Sequence, residues 1–228
     1  MIIHEGVISD ETRSLLLDLL QRIYGFNTAI TNITILNQHD DYAALVVSIN
    51  HPSVQLAIKL AGQDAPYPYP FERTANWQRL VAERTSIPMP EIIAADVSYD
   101  NYPWRFFIKS YVPGETWATV RPSLQGAALQ QAYEQIGKAV GELHSITFEH
   151  FAFKRPRYYP QLLERVNASL RNNTIKAQFL DLLEANKNLF ADVKQPRLCH
   201  DDLHPHNILF QQTGGEWQLA TILDFDKA

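Results

Sequence analysis

The stretch CHDDLHPHNIL at residues 199–209, followed by ILDFD at 222–226, is the most informative part of this chain for its fold. An acid, Asp202, is followed five positions later by an amide, Asn207, and a second acid, Asp224, comes after an apolar run. A carboxylate can accept the proton of a hydroxyl group, and amide and carboxylate oxygens suit a hard cation such as Mg²⁺. The combination predicts a site that holds a hydroxyl nucleophile together with Mg-ATP.

The order and spacing match the protein-kinase catalytic loop, His-x-Asp-x-x-x-x-Asn, and the Asp-Phe dipeptide that follows it. The particular wording, His-x-Asp-Leu-His-Pro-x-Asn-Ile-Leu and then Leu-Asp-Phe-Asp, resembles the aminoglycoside phosphotransferase family of small-molecule kinases. The resemblance implies that Asp202 accepts the proton of the acceptor hydroxyl and that Asn207 and Asp224 hold Mg²⁺. It also implies that His200 and His204 support the loop.

For the whole chain, the resemblance implies a protein-kinase-like α+β fold with two lobes. The expected amino lobe, residues 1–112, is a five-stranded antiparallel sheet with a helix and binds the nucleotide. The expected carboxyl lobe, residues 113–228, is mainly helical and carries the catalytic loop and a metal-binding hairpin. Members of the family continue into further helices, so the chain is expected to lack the family's carboxyl-terminal helices.

The predicted strand 54–61 contains a lysine, Lys59, that is a candidate for nucleotide binding. Apolar side chains alternate over residues 54–60, which leaves Lys59 on the opposite face among small residues. Residues 56–59, Leu-Ala-Ile-Lys, resemble the kinase strand whose lysine contacts the phosphates of ATP. The resemblance predicts that Lys59 pairs with Glu72 in the next helix, with Glu83 as the second candidate. An exposed edge-strand lysine, and an acid favoured by the helix dipole, remain the alternatives.

Residues 106–115, FFIKSYVPGE, resemble the strand and hinge against which the family binds adenine. The resemblance implies that backbone groups of Ser110, Tyr111 and Val112 pair with the base. This contact uses backbone atoms, so the side chains present at these positions do not identify it.

Hydrophobic periodicity and turn residues predict five helices and seven strands. The predicted helices are 9–24 capped by Ser9, 71–85, 124–146 capped by Ser123, 158–171 and 174–191. The predicted strands are 31–36, 42–50, 54–61, 91–98, 104–112, 208–211 and 217–223.

Composition limits the classes of partner. A net charge of -5 over 228 residues gives no basic surface for nucleic acid or an anionic membrane, so neither partner is expected. The single cysteine, Cys199, excludes an internal disulfide and is predicted to be a packed thiol. The amino terminus lacks the pattern of a signal peptide, and no apolar run reaches the ~18 residues of a membrane span, so the cytoplasm is expected.

Two features leave other functions open. The histidines and acids of residues 200–206 are potential ligands of a metal-dependent hydrolase. The expected loss of carboxyl-terminal helices admits a noncatalytic protein that still binds nucleotide.

No Gly-x-Gly-x-x-Gly stretch occurs, so the turn 37–41, with Asp40 and Asp41, would have to cover the phosphates. The acceptor could be an aminoglycoside, a macrolide, choline, homoserine or another sugar or amino alcohol.

Overall fold

The computed structural model describes residues 2–4, 7–150, 158–191 and 195–228. The chain forms two compact units, of which the first combines Met1–Leu143 with Cys199–Ala228 and the second is His144–Leu198. All residues of the predicted site belong to the first unit. The lobe boundary expected between residues 112 and 113 falls inside that unit and stays a prediction.

The regular elements alternate between short strands and helices. The strands are β1 Ile3–His4, β2 Val7–Ile8, β3 Ala29–His39, β4 Tyr42–Asn50, β5 Val54–Gly62, β6 Ile92–Asp96, β7 Trp104–Ser110, β8 Glu115–Thr116, β9 Ile208–Thr213 and β10 Glu216–Ile222. The helices are α1 Asp10–Tyr24, α2 Phe71–Arg84, α3 Trp117–Val120, α4 Gly126–Ser145, α5 Tyr158–Ser169, α6 Asn173–Ala185 and α7 Lys187–Ala191.

The main sheet has five strands in the order β3-β4-β5-β7-β6, and every neighbouring pair is antiparallel. This confirms the predicted five-stranded antiparallel sheet. Alternation along β5 buries one set of its side chains in the core shared with α1, and turns the other set toward α2. Lys59 lies on the α2 face, directly across from Phe107 of β7.

Helix α1 begins and ends where the sequence predicts. The Ser9 hydroxyl accepts the N–H of Thr12, which satisfies a backbone donor at the free amino end. Gly25 ends the helix at φ +105°, a conformation that favours glycine. Its leucines at 16, 19 and 20 are buried against the sheet.

The hairpin β9–β10 carries the end of the chain back to the catalytic loop. Gly214 and Gly215 turn it with φ +60° and +87°, the positive pair that a tight hairpin turn requires. Its apolar side chains pack with α3 and α4, forming a core of Trp117, Val120, Ala132, Ile208 and Phe210. The Leu223 N–H then donates to the Asn207 carbonyl over 2.8 Å, so Asp224 follows beside the loop as predicted.

Two predicted details of the helices are wrong. Ser123 does not cap α4, because it lies in a preceding 3₁₀ turn where its hydroxyl donates to the Val120 carbonyl over 2.7 Å. The helix predicted over 174–191 is divided at Asn186, whose side-chain amide donates to the Leu182 carbonyl and ends α6. A side chain that bonds nearby backbone competes with helix continuation.

The second unit contains α5, α6 and α7. The Tyr159 hydroxyl donates to Glu184 over 2.6 Å and links α5 to α6. A bridge between Thr147 and Arg197 joins the two ends of the unit. Within the part of the chain that the structure describes, no helix has the length and apolar character needed to cross a membrane.

One half-buried side-chain amide supports the strand that leads to Asp224. Gln135 of α4 donates to the Trp217 carbonyl and accepts the Leu219 N–H, at 3.0 and 2.7 Å, beside an irregularity in β10. We expect Gln135→Ala to lower the free energy of unfolding by about 1–2 kcal/mol, because both backbone groups lose their partner. Gln131→Ala, an exposed match on the same helix, should change it by less than about 0.5 kcal/mol in urea denaturation. Equal losses would contradict this role.

Candidate functional site

The side chain of His200 holds the catalytic loop in place through two contacts. It is buried, its Nε2 lies 2.7 Å from the Leu223 carbonyl, and its Nδ1 accepts the Asp202 N–H over 3.3 Å. This pair of contacts requires a neutral ring with its proton on Nε2. Burial lowers the pKa of His200, in agreement with that form. Its ring also packs on Phe225, with 4.6 Å between centroids.

Asn207 joins the loop to the hairpin. Its side-chain Nδ2 donates to the Asp202 carbonyl over 2.9 Å, and its own carbonyl accepts the Leu223 N–H. The side chain is buried, with its nitrogen committed. The amide oxygen has no hydrogen-bond donor among the described residues and is the atom left for a ligand.

His204 and Asp201 shape the backbone of the loop. The Nδ1 atom of His204 accepts the His206 N–H over 3.2 Å and caps a 3₁₀ turn at Pro205–Asn207. Asp201 is exposed and has φ +55°, in the left-handed region that glycine adopts most easily.

The carboxylate predicted to act as the base is paired at the surface of the site. The Lys227 ammonium lies 3.0 Å from Asp202 Oδ2, and the lysine side chain is 60% exposed. An ion pair with so exposed a partner contributes little to stability. Little free energy is therefore needed to break this ion pair.

Lys59 and Asp224, distant in sequence, form an ion pair. Lys59 Nζ lies 2.5 Å from Asp224 Oδ1 and 3.1 Å from Asp226 Oδ2. Asp224 adopts a left-handed conformation, φ +67°, at the start of a 3₁₀ turn Phe225–Lys227. The structure thus brings together two residues that the sequence assigned to one nucleotide site.

The charges of this cluster support one another. Burial alone would lower the pKa of Lys59, but Asp226, Tyr42 and Asp224 outweigh it and raise that pKa. Burial also opposes ionisation of Asp224, yet the adjacent Lys59 ammonium lowers its pKa below the ordinary value. Lys59 is therefore an ammonium and Asp224 a carboxylate at neutral pH.

The predicted pairing of Lys59 with Glu72 is absent. Glu72 and Glu83 both lie on the exposed side of α2, and neither forms an ion pair with Lys59 in the described structure. The buried face of that helix carries no acid; it consists of Phe71, Thr74, Ala75, Gln78 and Val81. Glu72 as a nucleotide-site residue stays a prediction, whereas the observed partners of Lys59 are Asp224 and Asp226.

The sequence analysis did not identify two charged residues of this region. Asp226 was visible as the last acid of Asp-Phe-Asp, and Lys109 as a residue on the Lys59 face of β7, opposite Ala57. Lys109 is 7% exposed, has no carboxylate at ion-pair distance among the described residues, and lies 5.7 Å from the Phe107 ring centre. Burial, reinforced by Lys59, lowers its pKa to about 8.

The predicted hinge has one backbone donor to spare. The Ser110 N–H donates to Glu91 and the Tyr111 N–H to Gln55, at 2.8 and 3.0 Å. Within the described chain, no hydrogen bond uses the Val112 N–H. Of the three predicted hinge N–H groups, Val112 is therefore the one able to donate to a base.

The Cys199 thiol is exposed, so its prediction as a packed thiol is wrong. Leu198 and His200 are buried on either side of it, and in this extended stretch alternate side chains point to opposite sides. Burial of part of the thiol and the charge of Asp201 raise its pKa, which disfavours the reactive thiolate.

A model of the phosphotransferase enzyme family matches residues 31–228 of this sequence. The chain belongs to that family. The match confirms the resemblance carried by the catalytic-loop motif. No curated protein matches the sequence.

Solved structures share the fold at low sequence identity. One is a thermostable mutant of aminoglycoside phosphotransferase APH(4)-Ia in complex with AMP-PNP and hygromycin B. It is 11% identical with a TM-score of 0.60, and the match covers 96% of this chain and 72% of that chain. Spectinomycin phosphotransferase APH(9)-Ia, with ADP and spectinomycin, is 17% identical with a TM-score of 0.57, covering 94% and 68%. The Plasmodium vivax ethanolamine kinase is 15% identical with a TM-score of 0.55, and the match covers 97% of this chain and 64% of that chain. These structures confirm the kinase-like α+β fold class.

The donor atoms of the site fit the Mg²⁺ that this family implies. The free amide oxygen of Asn207 and the Asp224 carboxylate are both hard oxygen ligands. Among the described residues, no group of three or more His, Cys, Asp or Glu side chains could hold a metal ion. Two protein ligands agree with Mg²⁺, which keeps waters and phosphate oxygens in its shell. The metal-hydrolase alternative has no such protein cage in the described chain.

One acid of the turn expected over the phosphates is held by backbone groups. The Asp41 carboxylate accepts the N–H groups of Ile2 and Asp64, at 3.3 and 3.4 Å, against the backbone of Gly62. Asp40 is exposed. The Asp41 carboxylate is thus held by backbone donors beside Gly62.

Lys109 gives a test of the electrostatics of the site. We expect Lys109→Met to raise the free energy of unfolding at pH 7 by roughly 1–3 kcal/mol, because an ammonium buried without a carboxylate is removed. The folded pKa of about 8 lies below the ordinary 10.5, so the unfolded chain binds the proton more tightly. Wild-type stability should therefore gain a contribution as pH rises from about 8 toward 10.5, and the advantage of the variant should shrink.

Urea denaturation of both proteins between pH 7 and 10 measures this difference. Lys138→Met, which removes a lysine 76% exposed on α4, is the matched control and should show no such pH-dependent gain. An advantage of Lys109→Met that is absent at pH 7, or that grows with pH, would contradict an unpaired buried ammonium.

Proposed function

We propose that this protein transfers the γ-phosphoryl group of ATP to a hydroxyl group of a small molecule. The observation that carries the proposal is the meeting of Lys59 with Asp224, beside Asn207 and Asp202. These are the four positions to which the family resemblance assigned nucleotide binding, metal binding and proton transfer. Phosphoryl transfer depends mainly on positioning and charge neutralisation, which a cluster of this kind can supply.

Each residue has a defined part in the proposal. Lys59 exchanges its contact with Asp224 for the phosphate oxygens of the nucleotide. Asp202, freed from Lys227, orients the acceptor hydroxyl and takes its proton as the oxygen attacks the γ-phosphorus. The bond from that phosphorus to the bridging oxygen breaks, and ADP leaves.

Asn207 and Asp224 would hold Mg²⁺ through their oxygens. When bound, the ion would neutralise charge on the phosphate oxygens. The His200 contact ties the loop that carries Asp202 and Asn207 to Leu223, the residue before Asp224, and His204 caps the 3₁₀ turn of that loop. The Val112 N–H is the proposed donor to the nucleotide base, next to the proposed backbone contacts of Ser110 and Tyr111.

The acceptor belongs to the proposal only as a class. The structural neighbours include proteins solved with hygromycin B or spectinomycin and one described as an ethanolamine kinase. These neighbours support a polar small molecule with a hydroxyl group, without choosing among sugars and amino alcohols. The expected cytoplasmic location belongs to the proposal in the same way.

A noncatalytic nucleotide-binding protein is the second candidate. In the structure the Lys227 ammonium contacts the Asp202 carboxylate, and a protein that kept this contact with nucleotide bound would present no free base to an acceptor. The two candidates share the nucleotide site and differ in turnover.

Calorimetric titration with ATP tests the shared site. We expect binding that requires Mg²⁺ and that weakens about 10–100-fold in Lys59→Met and in Asp224→Asn, since each loses a charged contact to phosphate or metal. Lys138→Met, the exposed match, should bind as the wild type does. Failure of the folded wild-type protein to bind ATP would contradict the proposal.

Asp202→Asn separates catalysis from binding. The substitution keeps size and removes the proton acceptor, so phosphate transfer should fall at least about 100-fold while MgATP affinity changes less than about threefold. The readout is ADP release during a screen of hydroxylated amines and aminoglycosides, compared with Asp201→Asn at the neighbouring exposed acid. Transfer that survives in Asp202→Asn would refute its role as base, and no transfer to any acceptor by a protein that binds MgATP would favour the noncatalytic candidate.

A further inference from the structure

Asp226 contacts three parts of the site at once. One carboxylate oxygen accepts Lys59 Nζ at 3.1 Å and the other accepts the Thr74 hydroxyl at 2.7 Å. Its backbone carbonyl accepts Arg73 Nη2 at 2.9 Å. The residue therefore ties β5, the amino-terminal turns of α2 and the 3₁₀ turn after Asp224 to one another.

The sequence of α2 explains why this connection is needed. Thr74 is fully buried, and its hydroxyl donates to the Asp226 carboxylate. The two acids considered as partners of Lys59, Glu72 and Glu83, lie on the exposed side of the helix. A lysine that must stay charged in a buried place needs a carboxylate, and the helix provides only a hydroxyl.

Asp224 cannot be the permanent partner of Lys59 if it also holds Mg²⁺. The proposed function requires its carboxylate to turn to the metal when nucleotide binds, which ends the 2.5 Å contact with the ammonium. Asp226 is not needed as a metal ligand in that arrangement, and its second oxygen is already held by Thr74. It can therefore remain on Lys59 in both states.

We propose that Asp226, held by Thr74, is the positioning residue that keeps Lys59 directed at the phosphates, in the role that the resemblance gave to a glutamate of the helix. This inference rests on the proposed function for its purpose. The contact between Asp226 and Lys59 can be tested with or without a nucleotide.

The first test measures the reactivity of Lys59 in the free protein. Trace acetylation with acetic anhydride at pH 9, read by mass spectrometry, reports the neutral fraction of each lysine, with exposed Lys138 as the internal reference. We expect Asp226→Asn to raise the relative rate at Lys59 about tenfold or more, because the ammonium loses a carboxylate. Glu72→Gln should leave that rate unchanged. Thr74→Val should raise it partly, and Thr74→Ser, which keeps the hydroxyl, should restore the wild-type rate.

The second test asks whether Asp226 acts through Lys59. We expect Asp226→Asn to weaken MgATP binding about tenfold in the wild-type background and less than about twofold in Lys59→Met. A merely structural residue would weaken binding alike in both backgrounds and lower the unfolding midpoint. A weakening in both backgrounds that is reversed by excess Mg²⁺ would make Asp226 a metal ligand and overturn the inference.

The remaining outcomes are also decisive. Unchanged Lys59 reactivity in Asp226→Asn, together with an increase in Glu72→Gln, would return the role to the helix glutamate. If the wild-type protein binds no MgATP, the proposed function fails and the acetylation rates alone decide whether Asp226 holds Lys59.

Discussion

The structure of the site depends on keeping one ammonium charged in a mostly buried place. An ammonium removed from water costs several kcal/mol unless carboxylates and hydrogen bonds replace its hydration. Lys59 meets this requirement with Asp224 and Asp226, which lie 165 and 167 residues away in sequence. The hairpin β9–β10 and the catalytic loop bring the segment that carries them to the sheet, with His200 and Asn207 bonded to Leu223 just before it. The fold of the first unit therefore forms an apolar core and also brings the two carboxylates to the Lys59 ammonium.

Much of this arrangement could be predicted from local sequence. Alternation along β5 correctly turned Lys59 away from the apolar core, and the spacing of the catalytic-loop motif anticipated the proximity of Asn207 and Asp224. Caps and turn glycines also marked α1 and the β9–β10 hairpin, because their effects act within a few residues. Predictions were best where a residue's conformation depends on its neighbours in the chain.

Predictions were poorer where competing partners decide the contact. Glu72 follows the lysine strand in the right helix, but helix rotation turns it outward, and a single sequence did not indicate which face packs on the sheet. Asp226 was overlooked because its partners, Lys59 and Thr74, lie on two other elements. Lys109 illustrates the same limit: cross-strand pairing turns it to the face of Lys59, where a second ammonium has no ion-pair contact among the described residues.

The central claim is that the cluster of Lys59, Asp224 and Asn207 is the nucleotide and metal site. A crystal structure of the protein with AMP-PNP and Mn²⁺, in which an anomalous difference map locates the manganese, is the most direct test. We expect a manganese peak within bonding distance of Asn207 Oδ1 and the Asp224 carboxylate, with Lys59 in contact with phosphate oxygens. A manganese peak among the loop histidines, or a nucleotide bound away from Lys59, would contradict it.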